Sequence, residues 1–183
     1  MGADAPSSTW ILLLRGINVG GRNRLGMDDL KEILTSLGLE NIRTWIQSGN
    51  VVFESGGEVS PDLADEIAEA IEEDHGFRPR VLLLSAEELE EAIEANPFPE
   101  AESEPKRLHL FFLESVPEEP DLEELAEAKA PTERYHLTDR VFYLHAPEGI
   151  GRSKLAGNAE RYLGVRATAR NWRTVQAVRD MVS

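Results

Sequence analysis

The chain alternates short, unbroken apolar runs with stretches in which apolar residues recur every three or four positions. Residues 10–14 (WILLL) are such a run and predict a strand buried on both faces. Met27, Leu30, Ile33, Leu34 and Leu37 then share one helical face, and Gly38 is placed to stop that helix. Ile42, Thr44 and Ile46 alternate with Arg43 and Trp45 as a strand, Ser48-Gly49-Asn50 reads as a hairpin turn, and residues 51–53 return as its partner. Ser60 and Pro61 suit the cap and first position of a second helix, whose stripe is Leu63, Ile67, Ala70 and Ile71 and whose stop is Gly76. Residues 81–84 predict a fourth strand. Ser85 with Glu88 forms a capping box for a third helix ending before Pro97.

The same order then returns. Residues 108–113 read as a strand, 122–128 as a short helix, and 135–137 with 141–144 as a hairpin through Thr138-Asp139. Ser153 caps a helix carrying Leu155, Ala159, Tyr162 and Leu163, with Gly164 as its stop. Residues 165–168 are a strand, and Asn171 caps a last helix with Trp172, Val175 and Val178 on one face. Each half reads βαββαβ plus a trailing helix. The expected fold class is α+β: two tandem ferredoxin-like βαββαβ units packed together with a groove between them. The expected boundaries are a flexible tail over 1–8, a first unit over 9–96, a linker over 97–105 with three prolines and three glutamates, and a second unit over 106–183.

Composition narrows the class. There is no cysteine, which excludes disulfides, thiolate metal sites and a cysteine nucleophile. No apolar run approaches the roughly 20 residues of a membrane span, and the first eight residues lack the pattern of a signal peptide. A cytoplasmic protein is expected. The net charge of −15 disfavours general nucleic-acid binding. The charge is uneven: residues 1–53 are balanced, 54–133 hold 25 acids against five bases, and 134–183 hold nine bases against four acids. Only four of the 19 basic residues are lysine, and a Lys-poor, acid-rich surface is a pattern of high-salt proteins or of a GC-rich genome with solvated acidic helix faces.

The segments LLRGINVGG, MDDLKEILTSLG, IQSGNVVF and ARNWRTV resemble the domain-of-unknown-function family 1697. The resemblance runs from about residue 10 to the end, implies paired α+β units in a mostly bacterial family, and implies no particular chemistry. Gly26 stands where members often carry lysine, and Arg173 where they often carry asparagine.

Four stretches are candidate sites. The first is LLRGINVGGRNRLGM, residues 13–27, with Arg15, Gly16, Asn18, Gly20 and Gly21 as candidate ligand-binding residues. It has neither the Gly-Lys-Ser/Thr of a phosphate loop nor the G-x-G-x-x-G of a dinucleotide site. Its glycines and arginines suit an anion, but Asp28 and Asp29 occupy the first turn of the following helix and repel one there. A plain crossing loop with solvated arginines is the alternative. The second candidate is Arg152 and Lys154 beside a glycine pair, or simply a turn and cap. The third is Arg170, Asn171 and Arg173, serving a ligand or internal ion pairs. The fourth is Gln47, Ser48 and Asn50, which are also ordinary turn residues. The histidines fall at no zinc-site spacing, so no metal and no cofactor are expected. No nucleophile–base pair is recognisable, which leans away from an enzyme. The sequence thus favours a non-enzymatic module binding a small anionic or nucleotide-like ligand, or a protein partner, in the groove between its halves. The alternatives are a transferase acting on a phosphorylated or nucleotide substrate and, less favoured, an RNA-binding module. The oligomeric state is not specified by the pattern.

Overall fold

A computed structural model describes residues 7–182. The chain is α+β, with two four-stranded antiparallel sheets and six α-helices among the described residues. It divides into two compact units, one comprising the residues up to Glu91 together with those from Ala177 onward, the other Ala92–Gln176.

The first unit is built from β1 (Ser7–Arg15), α1 (Met27–Ser36), β2 (Glu40–Trp45), β3 (Asn50–Gly56), α2 (Leu63–His75), β4 (Arg80–Ser85) and most of α3 (Ala86–Glu94). Its strands lie in the order β2-β3-β1-β4, each antiparallel to its neighbours. The strand that returns from the hairpin therefore sits between the two that α1 connects. Leu12 and Leu14 of β1 and Val51 and Phe53 of β3 pack with Leu30 and Leu34 of α1 and Ile67 and Ile71 of α2. Ile11, Leu13 and Val52, on the other face, are also buried, which is why β1 has no polar alternation. Near the C-terminus, the Arg43 guanidinium donates to the Met181 carbonyl.

The second unit repeats the order with β5 (Leu108–Leu113), α4 (Leu122–Ala128), β6 (Arg134–Leu137), β7 (Val141–His145), α5 (Lys154–Leu163), β8 (Ala167–Asn171) and the first half of α6 (Trp172–Val182). Its sheet order is β6-β7-β5-β8, again fully antiparallel. Phe111 meets Phe142 edge-on, with centroids 5.5 Å apart, above Leu125, Leu155 and Leu163.

Several expectations need correction. Of the segment expected as a tail, residues 1–6 lie outside the described residues, and Ser7 and Ser8 already pair in β1 with Gly56 and Ser55. Ile46 is not in a strand: it leaves β2 at φ +51 and opens the turn over residues 46–49, so Asn50 begins β3. The second helix starts at Leu63. Ser60 accepts from the Asp62 N–H at 3.2 Å in a preceding turn and is not the helix cap. The last strand starts at Ala167, later than expected. Residues 97–105 are not a bare linker. They contain a 3-10 turn over Pro99–Ser103, and Phe98 and Ala101 are buried. The apolar spacing in this segment is too short to register as an element, and its prolines masked it.

Candidate functional site

The loop between β1 and α1 is built as a miniature hairpin. Gly20 and Gly21 both take positive φ, +58 and +75, as a type I′ turn requires, and the Arg22 N–H closes it onto the Val19 carbonyl at 2.9 Å. Below it, the Asn18 N–H donates to the Asn23 carbonyl at 2.9 Å. Ile17 and Leu25 are buried and root the loop in the core. The Asn18 side chain completes the brace. Its Oδ1 accepts from the Leu25 N–H at 2.8 Å, and its Nδ2 donates to the carbonyls of Leu25 at 2.9 Å and Gln47 at 2.7 Å. All the hydrogens and the oxygen of that amide are engaged.

The last of those bonds joins the loop to the β2–β3 turn. Gly49 sits where the two meet: the Leu14 N–H donates to its carbonyl at 2.9 Å, and a Cβ on it would lie 2.6 Å from Leu14 Cβ. Asn50 is fully buried and donates to Trp45 O at 3.2 Å and Ser48 Oγ at 3.0 Å. Of the candidates in this unit, Asn18, Ser48 and Asn50 thus hold the scaffold through their side chains. Gly16, at φ +85, accepts from Asn23 Nδ2 at 2.9 Å, and Gln47 is exposed. What the corner offers outward is Arg15, Arg22 and Arg24, all exposed, with Val19 at 64% and Ile46 at 51% exposure. Ile46 is β-branched and left-handed, a conformation that costs about 1–2 kcal/mol. Arg22 and Arg24, which the sequence offered only among the arginines of this stretch and not as candidate binding residues, are the exposed cations of the loop itself. Their signal was the absence of any acid between residues 15 and 27.

The other candidates lie in the second unit, at the end of its sheet where β7 and β8 finish and β5 begins. Gly149 takes φ +101, and its α-carbon faces the Arg107 guanidinium so closely that a Cβ would lie 2.7 Å from Nη1. Ser153 Oγ accepts from the Ala156 N–H at 3.0 Å and Asn171 Oδ1 from the Thr174 N–H at 2.9 Å, so both are helix caps. Arg170 is half-buried and donates to the Ala169 carbonyl at 2.9 Å. Arg152, Lys154 and Arg173 are exposed. The candidates therefore form two clusters, one in each unit.

A third cluster was invisible in the sequence because its members come from separate elements. Arg134 of β6 pairs with Glu100 and lies 4.7 Å over the Phe98 ring. It also reaches His145 Nδ1 at 3.0 Å, while His145 Nε2 is 3.5 Å from Glu104. Arginine is only a donor, so Nδ1 accepts and the ring proton sits on Nε2, facing Glu104. The bonds to the backbone and to Arg134 hold the Glu100 carboxyl below its ordinary pKa. Nearby, His109 is buried with Nδ1 unpartnered, and burial pushes its pKa down to about 4. Burial likewise pushes Tyr143 up to about 12, and its hydroxyl donates to the Ala92 carbonyl at 2.5 Å. Among the described residues no group of three side chains is arranged to hold a metal ion, and no helix is long and apolar enough to cross a membrane.

Residues 8–143 match the family model described as protein of unknown function (DUF1697), and the chain belongs to that family. No curated protein matches it. Among solved structures, it is similar to the conserved bacterial protein SP0830 from Streptococcus pneumoniae, with a TM-score of 0.73 and 24% identity over 97% of this chain and 100% of that one. That likeness establishes the fold. The family's function is not established.

Proposed function

We propose that the chain is a non-enzymatic binding module whose β1–α1 corner holds an anionic group, a phosphate or carboxylate carried by a small molecule or a protein. The observation that carries this reading is the acid-free stretch of residues 15–27. It sets Arg22 and Arg24 on a braced loop, beside Arg15 at the end of β1, in a chain of net charge −15. Arginine binds phosphate and carboxylate through charge-assisted pairs, and a loop already held by Asn18 loses little entropy on binding. The same strand order in both units supports reading them as tandem ferredoxin-like folds derived by internal duplication. The absence of cysteine and the acidic balance fit a cytoplasmic protein.

The test is thermal denaturation with pyrophosphate, nucleotides, coenzyme A, sugar phosphates and short RNA, on the wild type and on Arg22→Ala/Arg24→Ala. A ligand present at 100 times its Kd stabilises by about 2.7 kcal/mol, a shift of about 5–10 °C for a chain of this size. The expected result is a shift with at least one anion that the double variant loses. An equal shift in the variant, or none with any anion, overturns the reading.

A further inference from the structure

The loop that follows the first strand of the second unit has the opposite character. This loop and the first turn of α4, residues 114–124 (ESVPEEPDLEE), contain six acids and no base, against three arginines and no acid from the end of β1 to the start of α1, residues 15–27. This loop, too, is pinned in place: the Glu114 N–H donates to the Arg166 carbonyl at 2.9 Å and the Asp121 N–H to the Tyr162 carbonyl at 2.7 Å. The two loops connect the first strand to the first helix of their respective units.

The exposed apolar residues divide between the same two places. Among the described residues, the large hydrophobics left exposed are Val19, Ile46, Val116 and Leu122. Val19 and Ile46 lie at the basic corner, Val116 in the acidic loop and Leu122 at the start of the helix that follows it. Beside Val116 the surface is concave, a shallow depression walled by Leu163 and Val165 and rimmed by Glu118 and Glu119. At the basic corner Val19, Arg22 and Arg24 are all exposed, on and beside the turn that the Arg22 N–H closes onto the Val19 carbonyl. The acidic faces of α2 and α3 match the basic corner in charge, but none of the exposed large hydrophobics lies on them.

From this complementarity of charge and apolar content, with a depression beside Val116 to receive apolar side chains, we infer that the partner of the basic corner is the acidic β5–α4 loop of a second copy of this chain. The inference rests on the anion-binding reading above, with glutamate side chains as the anions. Val19 and Ile46 enter the depression beside Val116, and Arg22 and Arg24 pair with Glu118 and Glu119 around it. Made reciprocally, the contact closes a two-fold dimer; made once per copy, it propagates. Two loops bury less than about 1,200 Å², which places the complex among weak, transient ones. Each copy carries −15, so long-range repulsion opposes association in dilute buffer. Salt near 0.1 M screens beyond roughly 10 Å and leaves the close pairs, whereas 1 M salt removes both. Association is therefore strongest at intermediate salt.

The experiment is sedimentation velocity on the full chain at several hundred micromolar, across a salt series, with two charge-reversed variants. Arg22→Glu/Arg24→Glu and Glu118→Arg/Glu119→Arg should each remove self-association, weakening it by about tenfold or more. An equimolar mixture of the two should restore it, because each then presents what the other lost. Circular dichroism and melting temperature verify that both variants fold. A wild type that stays monomeric throughout, variants that associate as the wild type does, or a mixture that fails to recover, overturns the inference. The anion-binding reading fails separately: pyrophosphate binding lost in Arg22→Ala/Arg24→Ala with no self-association leaves that reading standing and removes only the second copy as partner.

Discussion

Gly49 is where the two loops of the basic corner come nearest. It sits at φ +78, and a Cβ there would meet Leu14 Cβ at 2.6 Å and Ile17 Cδ1 at 3.1 Å, both in the core. Leu14 Cβ is fixed to the strand backbone and cannot swing away, and the Ile17 methyl is enclosed in the core. Gly49→Ala should therefore cost about 2–4 kcal/mol, combining overpacking with a left-handed alanine. Urea denaturation checks it, with Gly57→Ala as a control that has positive φ but open space. At this scale the sequence marked glycine as a turn former but gave no reason for the constraint, which comes from Leu14 and Ile17 across the sheet corner. The helix caps were legible because a cap bonds only two or three residues ahead. Ser85 with Glu88, Ser153 and Asn171 all cap as their local sequence implies. Asn18 was legible as a polar loop residue, but its reach to Gln47, 29 positions away, was not.

At the scale of elements, Arg134 of β6 joins the 3-10 segment Pro99–Ser103 and the preceding Phe98 to the sheet. Arg134 supplies an ion pair, a ring contact and a hydrogen bond, to Glu100, Phe98 and His145. Its side chain is 43% exposed, so the ion pair is discounted for solvent. Arg134→Ala should cost about 1–2 kcal/mol, mostly through the ring contact and the bond to His145. The change should be local: amide hydrogen exchange over 98–104 should speed up while that of β1 and β3 stays as in the wild type. Equal acceleration everywhere would mean that the segment is not a separate piece. The strand and helix order itself was legible, because burial imposes periods of 2 and 3.6 on apolar positions whatever the long-range partners are. The ends were less so. Ile46 fits the alternation of β2 but turns out of it, and the buried Phe98 follows no period.

At the scale of the molecule, acid stability follows from the buried His109. The folded protein keeps it neutral down to about pH 4, whereas the unfolded chain takes a proton near the ordinary value of 6.5. Its folded value is depressed, so its contribution is fully present above 6.5 and is lost as the pH falls toward 4. Within that window stability should drop by at most about 1.4 kcal/mol per pH unit from this group. Glu100, also held below its ordinary value, adds a loss in the same direction at lower pH. Urea midpoints measured from pH 7 to 4 should fall, and His109→Gln should flatten the slope whatever it does to stability at pH 7. An unchanged slope would place the acid sensitivity elsewhere. By itself the sequence determined the family, the α+β class, the repeated element order, most helix caps and the uneven charge, because each is written in local periodicity, turn chemistry or counting. Only the tertiary structure decided that Asn18 is a brace, that the outward cations are Arg22 and Arg24, that residues 97–105 are clamped by Arg134, and that His109 is buried. Each of these depends on which distant residues share a strand register or a loop corner, and no local pattern encodes that pairing.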